Sequence, residues 1–398
     1  MGRYLNQGME SFIRSVNSEI YVDKTGLIKY TNRVMNTLQG YVCVSRPRRF
    51  GKSMAANMLT AYYSRGCDSG ELFSKFEISE SPDFEKYRNQ YNTISLNMQE
   101  FLSRSDSVEV LIDRVKKLVL RDLKREFPDV DYFDDTDLVE SMQDIYETNK
   151  CPFVVIIDEW DCIFREFRQD KEAQEKYLDF LRDLLKDKAC IHLAYMTGIL
   201  PIKKYGTHSA LNMFDEFSMI NPGPLAPYVG FTEPEVKSLC NRYEMDMDEV
   251  KAWYDGYSFS MAASVYSPRS VVNSMLFGKI ENYWNQTETF EALQVYIDMN
   301  FDGLKDDVLS MIAGESIPVN TGSFTNDMTT FRTEDDVLTL LIHLGYLAYD
   351  SENKTVKIPN NEVRNEYVNS VAAICRYIKR NLAETATAGC RRNTAGSF

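Results

Sequence analysis

The chain has 398 residues, room for two or three domains at roughly 150 residues each, and its 44% hydrophobic and 12% aromatic content describes a packed globular protein, not a disordered one. With 45 Lys and Arg against 59 Asp and Glu, the net charge of −14 excludes a protein that coats nucleic acid over its whole surface, while a local basic patch stays open. No apolar run approaches the roughly 20 residues that cross a bilayer, and MGRYLNQGMESF at the N-terminus has no signal-peptide pattern, so a cytoplasmic protein without a membrane partner is expected.

The eight cysteines form no CxxC pair, and several sit in apolar surroundings such as YVCVS and KACIHLAY, which points to reduced, buried thiols. Only His192, His208 and His343 are present, none beside a second ligand at zinc spacing, so no zinc site is expected.

Along the first half, short apolar runs alternate with helical patterns, the signature of a parallel sheet covered by helices. YVCVS (41–45) predicts a strand and MAANMLTAYYSR (54–65) the helix after it. TISLNM (93–98) predicts a second strand, followed by a helix over 108–127 with Val108, Leu111, Val115, Leu118 and Leu123 near helical spacing. FVVIID (153–158) is a continuous apolar strand of the kind buried on both faces. A polar helix around 171–186, a strand CIHLAYMTG (190–198) and a last strand at 217–220 complete the unit before the turn-forming NPGPLAP.

The second half changes character. Thr232 as N-cap, Pro234 in the first turn and Glu235 three residues after the cap predict a helix over 232–245. Short helices then dominate, interrupted by WYDGYSF and VYSPRS. Asp335 to Asp350 reads as a helix running through Gly345 into a strand, with NKTVKIP returning as its partner, a helix and wing. Its few basic residues, Arg332, Lys354 and Lys357, make direct duplex binding by that element weak. The expected division is a P-loop domain over 1–222, a mostly helical lid over 223–300, a winged-helix-like module over 301–368 and a low-complexity tail over 369–398.

The chemistry is concentrated in two places. SRPRRFGKS (45–53) stands between a predicted strand and a predicted helix, the context a phosphate-binding loop requires. There the backbone of Arg48, Arg49, Phe50, Gly51, Lys52, Ser53 and Met54 would cradle phosphates, with Lys52 reaching the terminal ones and the Ser53 hydroxyl binding magnesium. Arg46 replaces the first glycine of the common GxxxxGK[ST] pattern, and Pro47 removes a donor. About a hundred residues on, VVIIDEWD ends a buried strand in two carboxylates, Asp158 suited to the magnesium shell and Glu159 to orienting water. Plainer readings stay open: a tight turn with a capped helix, a solvated strand end, an exposed basic loop at Arg46, Arg48 and Arg49. Thr197 falls where a polar sensor of the γ-phosphate would stand, or caps the following loop. Lys203 and Lys204 are finger candidates toward developing charge.

These residues resemble the bacterial and archaeal AAA-ATPase-like family, whose C-terminal part is often a PD-(D/E)XK nuclease-like domain. YVDKTGLI, SRPRRFGKS, VVIIDEWD, MTGILPIKKYGTHSALNMFDEFSM, GFTEPEV, WYDGYSF, VYSPRSVV and KIPNNEVR carry the resemblance over roughly 10–368. It implies nucleotide binding at Gly51, Lys52 and Ser53, and draws attention to Asp23, Lys24 and Thr25, which otherwise read as a helix start capped by Asp23. The chain ends about thirty residues after IPNNEVR, so the nuclease-like domain is expected to be absent or truncated. The two ExK triplets, Glu235–Lys237 and Glu352–Lys354, read as solvated charges. An ATP- and magnesium-dependent ATPase is the expected activity. A nucleotide-dependent switch that recruits DNA or a protein is the alternative.

Overall fold

A computed structural model of the chain describes residues 2–202, 204–205, 208–209, 211–259, 262–284, 303–324, 331 and 333–370. Its centre is a five-stranded, wholly parallel sheet formed by β1 (Tyr41–Ser45), β2 (Asn92–Asn97), β3 (Phe153–Asp158), β4 (Ile191–Gly198) and, after a two-residue ladder β5 (Lys204–Tyr205) and β6 (His208–Ser209), β7 (Asp215–Phe217). The strand order is β2-β3-β4-β1-β7. Every residue of β3 is buried, which requires cover on both faces and explains its unbroken apolar sequence. Helix Lys52–Tyr63 packs on β3 directly, and helices Val108–Glu126, Leu138–Asn149 and Lys171–Leu185, packed on one another, contribute to the same core. The chain's first residues close the β2 edge: Asn6 N–H donates to Thr93 O and Ser95 N–H to Tyr4 O.

The last strand lies at Asp215–Phe217, earlier than the predicted 217–220, because only that stretch reaches β1, pairing Val42 to Asp215 and Val44 to Phe217. The unit after it is less helical than its composition predicts. Helices Glu233–Tyr243, Met247–Tyr254 and Pro268–Phe277 pack on a three-stranded antiparallel sheet of β8 (Phe231–Thr232), β9 (Tyr257–Phe259) and β10 (Ala262–Tyr266), so WYDGYSF and VYSPRS do interrupt the helices, each by carrying a strand: Tyr257–Phe259 follows a helix that ends at Tyr254, and Val265–Tyr266 precedes one that starts at Pro268. This unit has its own core of Phe231, Val236, Leu239, Tyr254, Tyr266, Val271 and Tyr283, to which Ile20 is added from the N-terminal segment. Thr232 caps the helix as predicted, with Glu235 completing the capping box.

Farther on, helix Leu304–Ala313, β11 (Ile317–Pro318), helix Glu334–Leu344, β12 (Ala348–Asp350) and β13 (Thr355–Lys357) make a helix with a small antiparallel wing, β11 joining as a third strand. Gly345 ends the helix in the left-handed region at φ 85°. Val337, Leu341 and Tyr346 belong to the same continuous core as the large sheet, so this module is packed against the first unit. Most of the low-complexity tail, with Cys375 and Cys390, lies outside the described residues, and among the described ones Cys43, Cys67, Cys151, Cys162, Cys190 and Cys240 are free thiols. No helix among the described residues is long and apolar enough to cross a membrane.

The IPNNEVR segment, continuing into a helix over 361–370, fastens the second unit from behind. Glu362 is fully buried, accepting from Tyr283 N–H at 2.7 Å and from Ser270 Oγ at 2.9 Å. Burial pushes its carboxyl from 4.5 up to about 7, against those hydrogen bonds. The folded chain therefore keeps a proton that the unfolded chain releases between those two values, and the stability linked to it is present at the acid end and lost as pH rises to about 7. In urea melts, Glu362→Gln should lose this part of the slope, so the difference between parent and variant changes across that window and is flat above it. A difference independent of pH would show that Glu362 titrates as an ordinary carboxylate.

Candidate functional site

The carboxyl ends of β1, β2, β3 and β4 share one edge of the sheet, where strand order reverses beside β1 and open α/β sheets form their binding crevices. The turn from β1 into helix Lys52–Tyr63 runs through Arg49 and Gly51, both left-handed at φ 70° and 93°. A β-carbon on Gly51 would meet nothing within 4 Å, so glycine is required there by backbone conformation, not by space. The helix opens directly on Lys52, Ser53 and Met54, whose N–H groups have no partner within the helix and face an anion's approach with the positive dipole end.

Across the edge stand the carboxylates. β3 and β4 pair Asp158 with Thr197, and β1 and β4 pair Val44 with Thr197, so the Thr197 position lies between the loop strand and the acidic strand. Asp158 is 6% exposed and accepts from Asn97 Nδ2 at 3.3 Å and from Glu159 N–H at 3.0 Å, with Ser53 as a neighbour. Burial, foremost, pushes its carboxyl up to about 6, with Ser53 and Lys52 opposing. Lys52 is 4% exposed and donates to Pro47 O at 2.9 Å. Burial lowers its amine, and the carboxylates of Glu159, Asp161 and Asp158 pull the other way. Thr197 Oγ1 is fully buried and makes no hydrogen bond among the described residues, so it does not cap the following loop.

Between these parts lies a cleft of about 1070 Å³. Arg48, Arg49, Phe50, Gly51, Lys52, Ser53 and Met54 line it together with Asn97, Glu159 and Arg165, while Asp158 and Thr197 are buried and do not line it. Tyr21, Lys24, Tyr228, Phe231 and Arg269 line it too, so the N-terminal segment and the second unit close its far end. Arg48, Arg49 and Arg269 all line the cleft, and burial, then repulsion from Arg269 and Arg48, holds the Arg49 guanidinium below its usual range. The acidic chain thus concentrates positive charge at this cleft.

Several residues do other work than the sequence suggests. Arg46 belongs to no basic loop: it is fully buried, donates from Nη1 to Ser45 O at 2.9 Å and Phe217 O at 3.0 Å, and lies over the Phe259 ring. Phe50 turns its ring into the core against Tyr257 and gives the cleft only part of its surface. Asp23 does not cap the helix Gly26–Val34, whose N-cap is Thr25. It accepts from the Thr25 and Glu77 N–H groups, pinning the segment. Glu235 is no solvated charge, since Lys24 donates to both its oxygens at 2.6 Å. Lys203 lies outside the described residues and of Lys204 only the backbone is described.

Asp161, Arg165, Asn97 and Arg269 were not singled out from sequence. Asp161 was visible inside VVIIDEWD and Arg165 one helical turn beyond it. Asn97 holds at the β2 tip the register position that Asp158 holds on β3. Nothing local marked Arg269, which reaches the cleft through tertiary packing.

The family described as Predicted AAA-ATPase matches over residues 7–207, which takes in the whole loop, both carboxylates and the Thr197 strand. The chain belongs to this family. Among curated proteins, the uncharacterized protein in the vnfD 5'region of Azotobacter chroococcum mcd 1 is 27% identical over 296 residues, which are 71% of this chain and 54% of that protein. The chain therefore spans about half the length of the curated relative it matches. Of solved structures, Aeropyrum pernix ORC2 in its ADPNP–ADP complexes is similar with a TM-score of 0.36 and 13% identity, over 91% of this chain and 98% of that one. C. elegans PCH-2 follows with a TM-score of 0.29 and 12% identity, over 92% of this chain and 72% of that one. For this member of the family the fold is that of a P-loop NTPase, with the parallel sheet and the loop-to-helix turn as its marks.

Proposed function

We propose that this AAA-ATPase binds ATP with magnesium in the cleft, hydrolyses it, and passes the resulting change in the loop to the second unit and the C-terminal module. The observation that carries the reading is that Lys52 and Ser53 at one helix start and Glu159 at one strand tip line a single cleft, with Asp158 buried beside Glu159 at the same strand tip. The donor set suits a hard cation, since Ser53 and Asp158 offer oxygen only and are neighbours. The Thr197 hydroxyl, paired with Asp158 in register, supplies one more polar group without a partner among the described residues. Magnesium, when bound, would neutralise phosphate oxygens and hold them in line.

In this reading the backbone of 48–54 wraps the phosphates, Lys52 supplies a buried positive charge for them, and Arg48, Arg49 and Arg269 draw the anion in. Glu159, 22% exposed at its side chain, accepts a hydrogen bond from the attacking water. Thr197 would donate toward the terminal phosphate, a role supported by its register position between Val44 and Asp158. Tyr21, Tyr228 and Phe231 give the far end apolar surface for a base.

Isothermal titration with ATP and magnesium tests the site. Lys52→Ala removes a charged contact worth about 1.5–3 kcal/mol, so affinity should fall about ten- to a hundredfold. Undiminished binding by that variant overturns the assignment. Turnover, with or without DNA, no higher than the Lys52→Ala background would leave a nucleotide-dependent binding switch as the activity.

A further inference from the structure

We propose that Arg165, anchored by Asp161, is the positioning residue that holds Glu159 toward the cleft. The inference rests on the ATPase reading and deepens it. Glu159 sits at φ 54°, a left-handed conformation that costs a non-glycine residue and persists only where neighbours impose it. Trp160 N–H donates to Thr197 O at 3.2 Å, tying the turn after β3 to β4. Asp161, fully buried, accepts at Oδ2 from the N–H groups of Ile199 at 3.0 Å and Leu200 at 2.8 Å, the residues that follow β4. A β-carbon on Gly198 would stand 2.6 Å from Asp161 Oδ1, so the carboxylate packs directly against the end of β4.

Arg165 lies one helical turn on. Its Nε is 3.4 Å from Asp161 Oδ2 and its Nη2 donates to Glu159 Oε2. Both members of the Arg165–Glu159 pair line the cleft, with side chains 11% and 22% exposed. The pair engages Oε2, and no hydrogen bond among the described residues takes Oε1, which stays available as the acceptor for water. A chain of contacts thus runs from the strand carrying Thr197 through Asp161 and Arg165 to Glu159. A carboxylate moved by about 1 Å can cost a hundredfold in rate, so the anchor matters to turnover without touching substrate.

The test uses the full chain, ATP and magnesium, reading fluorescent-nucleotide affinity and steady-state phosphate release together. Arg165→Gln should lower kcat by about 10- to 100-fold while affinity stays within about threefold, and Arg165→Lys, which keeps the charge, should recover part of the loss. A rise in kcat would mean the pair restrains Glu159, and an affinity loss as large as the kcat loss would mean Arg165 holds phosphate. Either result overturns the proposal. Should circular dichroism show Arg165→Gln unfolded, Asp161→Asn keeps an oxygen for the Ile199 and Leu200 amides, and a folded variant should show a smaller fall in kcat. Unchanged kcat there overturns the anchor. A parent that binds no ATP, or turns over no faster than Lys52→Ala, refutes the ATPase reading itself, whereas a parent that exceeds the Lys52→Ala background but turns over no faster than Arg165→Gln refutes the positioning alone.

Discussion

Replacing Glu159 with Gln is expected to leave ATP affinity nearly unchanged and to lower steady-state turnover by about 10²- to 10⁴-fold, the usual worth of a positioned general base. Gln keeps the volume and one oxygen, and the phosphate-facing groups of the loop are untouched, so ground-state binding has no reason to change. What is lost is the anionic acceptor for a water. Arg165 then keeps only Asp161 as its carboxylate partner among the residues it is seen to pair with. Equilibrium binding alongside phosphate release separates the two quantities. Unchanged turnover removes Glu159 from the water-orienting role and leaves the binding site standing.

Restoring the glycine of the common loop pattern at position 46 is expected to weaken the protein, not to improve its loop. Arg46→Gly should cost about 2–4 kcal/mol, from a buried cavity and from backbone carbonyls at Ser45 and Phe217 that lose their donor. The sign is not obvious from charge alone. A fully buried guanidinium is itself costly: burial pushes its pKa down to about 10, and Nε and Nη2 find no partner among the described residues. Arg46→Met, which fills the volume over Phe259 and gives up the charge, should therefore lose less than Arg46→Gly. Urea midpoints at constant slope measure both. A glycine variant as stable as the parent would show that the arginine holds nothing together.

Much of the first unit was legible because its signals are local. The continuous apolar runs at 41–45 and 153–158 give strands with those bounds, since a strand buried on both faces must be apolar throughout. The loop and the acidic pair were legible because each depends on a strand end, and strand ends are marked by where apolar runs stop. Arg46 was misread because an arginine in a turn ordinarily lies in water, and only its tertiary neighbours Phe217 and Phe259 reveal otherwise. The sheet of the second unit was missed for a similar reason. β8 and β9 have two and three residues, too few for alternation to register, and they are held by pairing with β10. Glu235 looked like a surface charge because its partner Lys24 lies far back along the chain.

The close fit of Gly345 beneath the loop has a thermodynamic corollary. A β-carbon at 345 would stand 2.7 Å from Pro47 Cγ, so the C-terminal module meets the back of the same turn whose front lines the cleft. Two occupants on opposite sides of one short segment cannot be energetically independent once either displaces it. Any ligand that shifts the segment must then alter the docking of the module by a definite coupling free energy, and a partner that levers the module away must alter ligand affinity by the same factor.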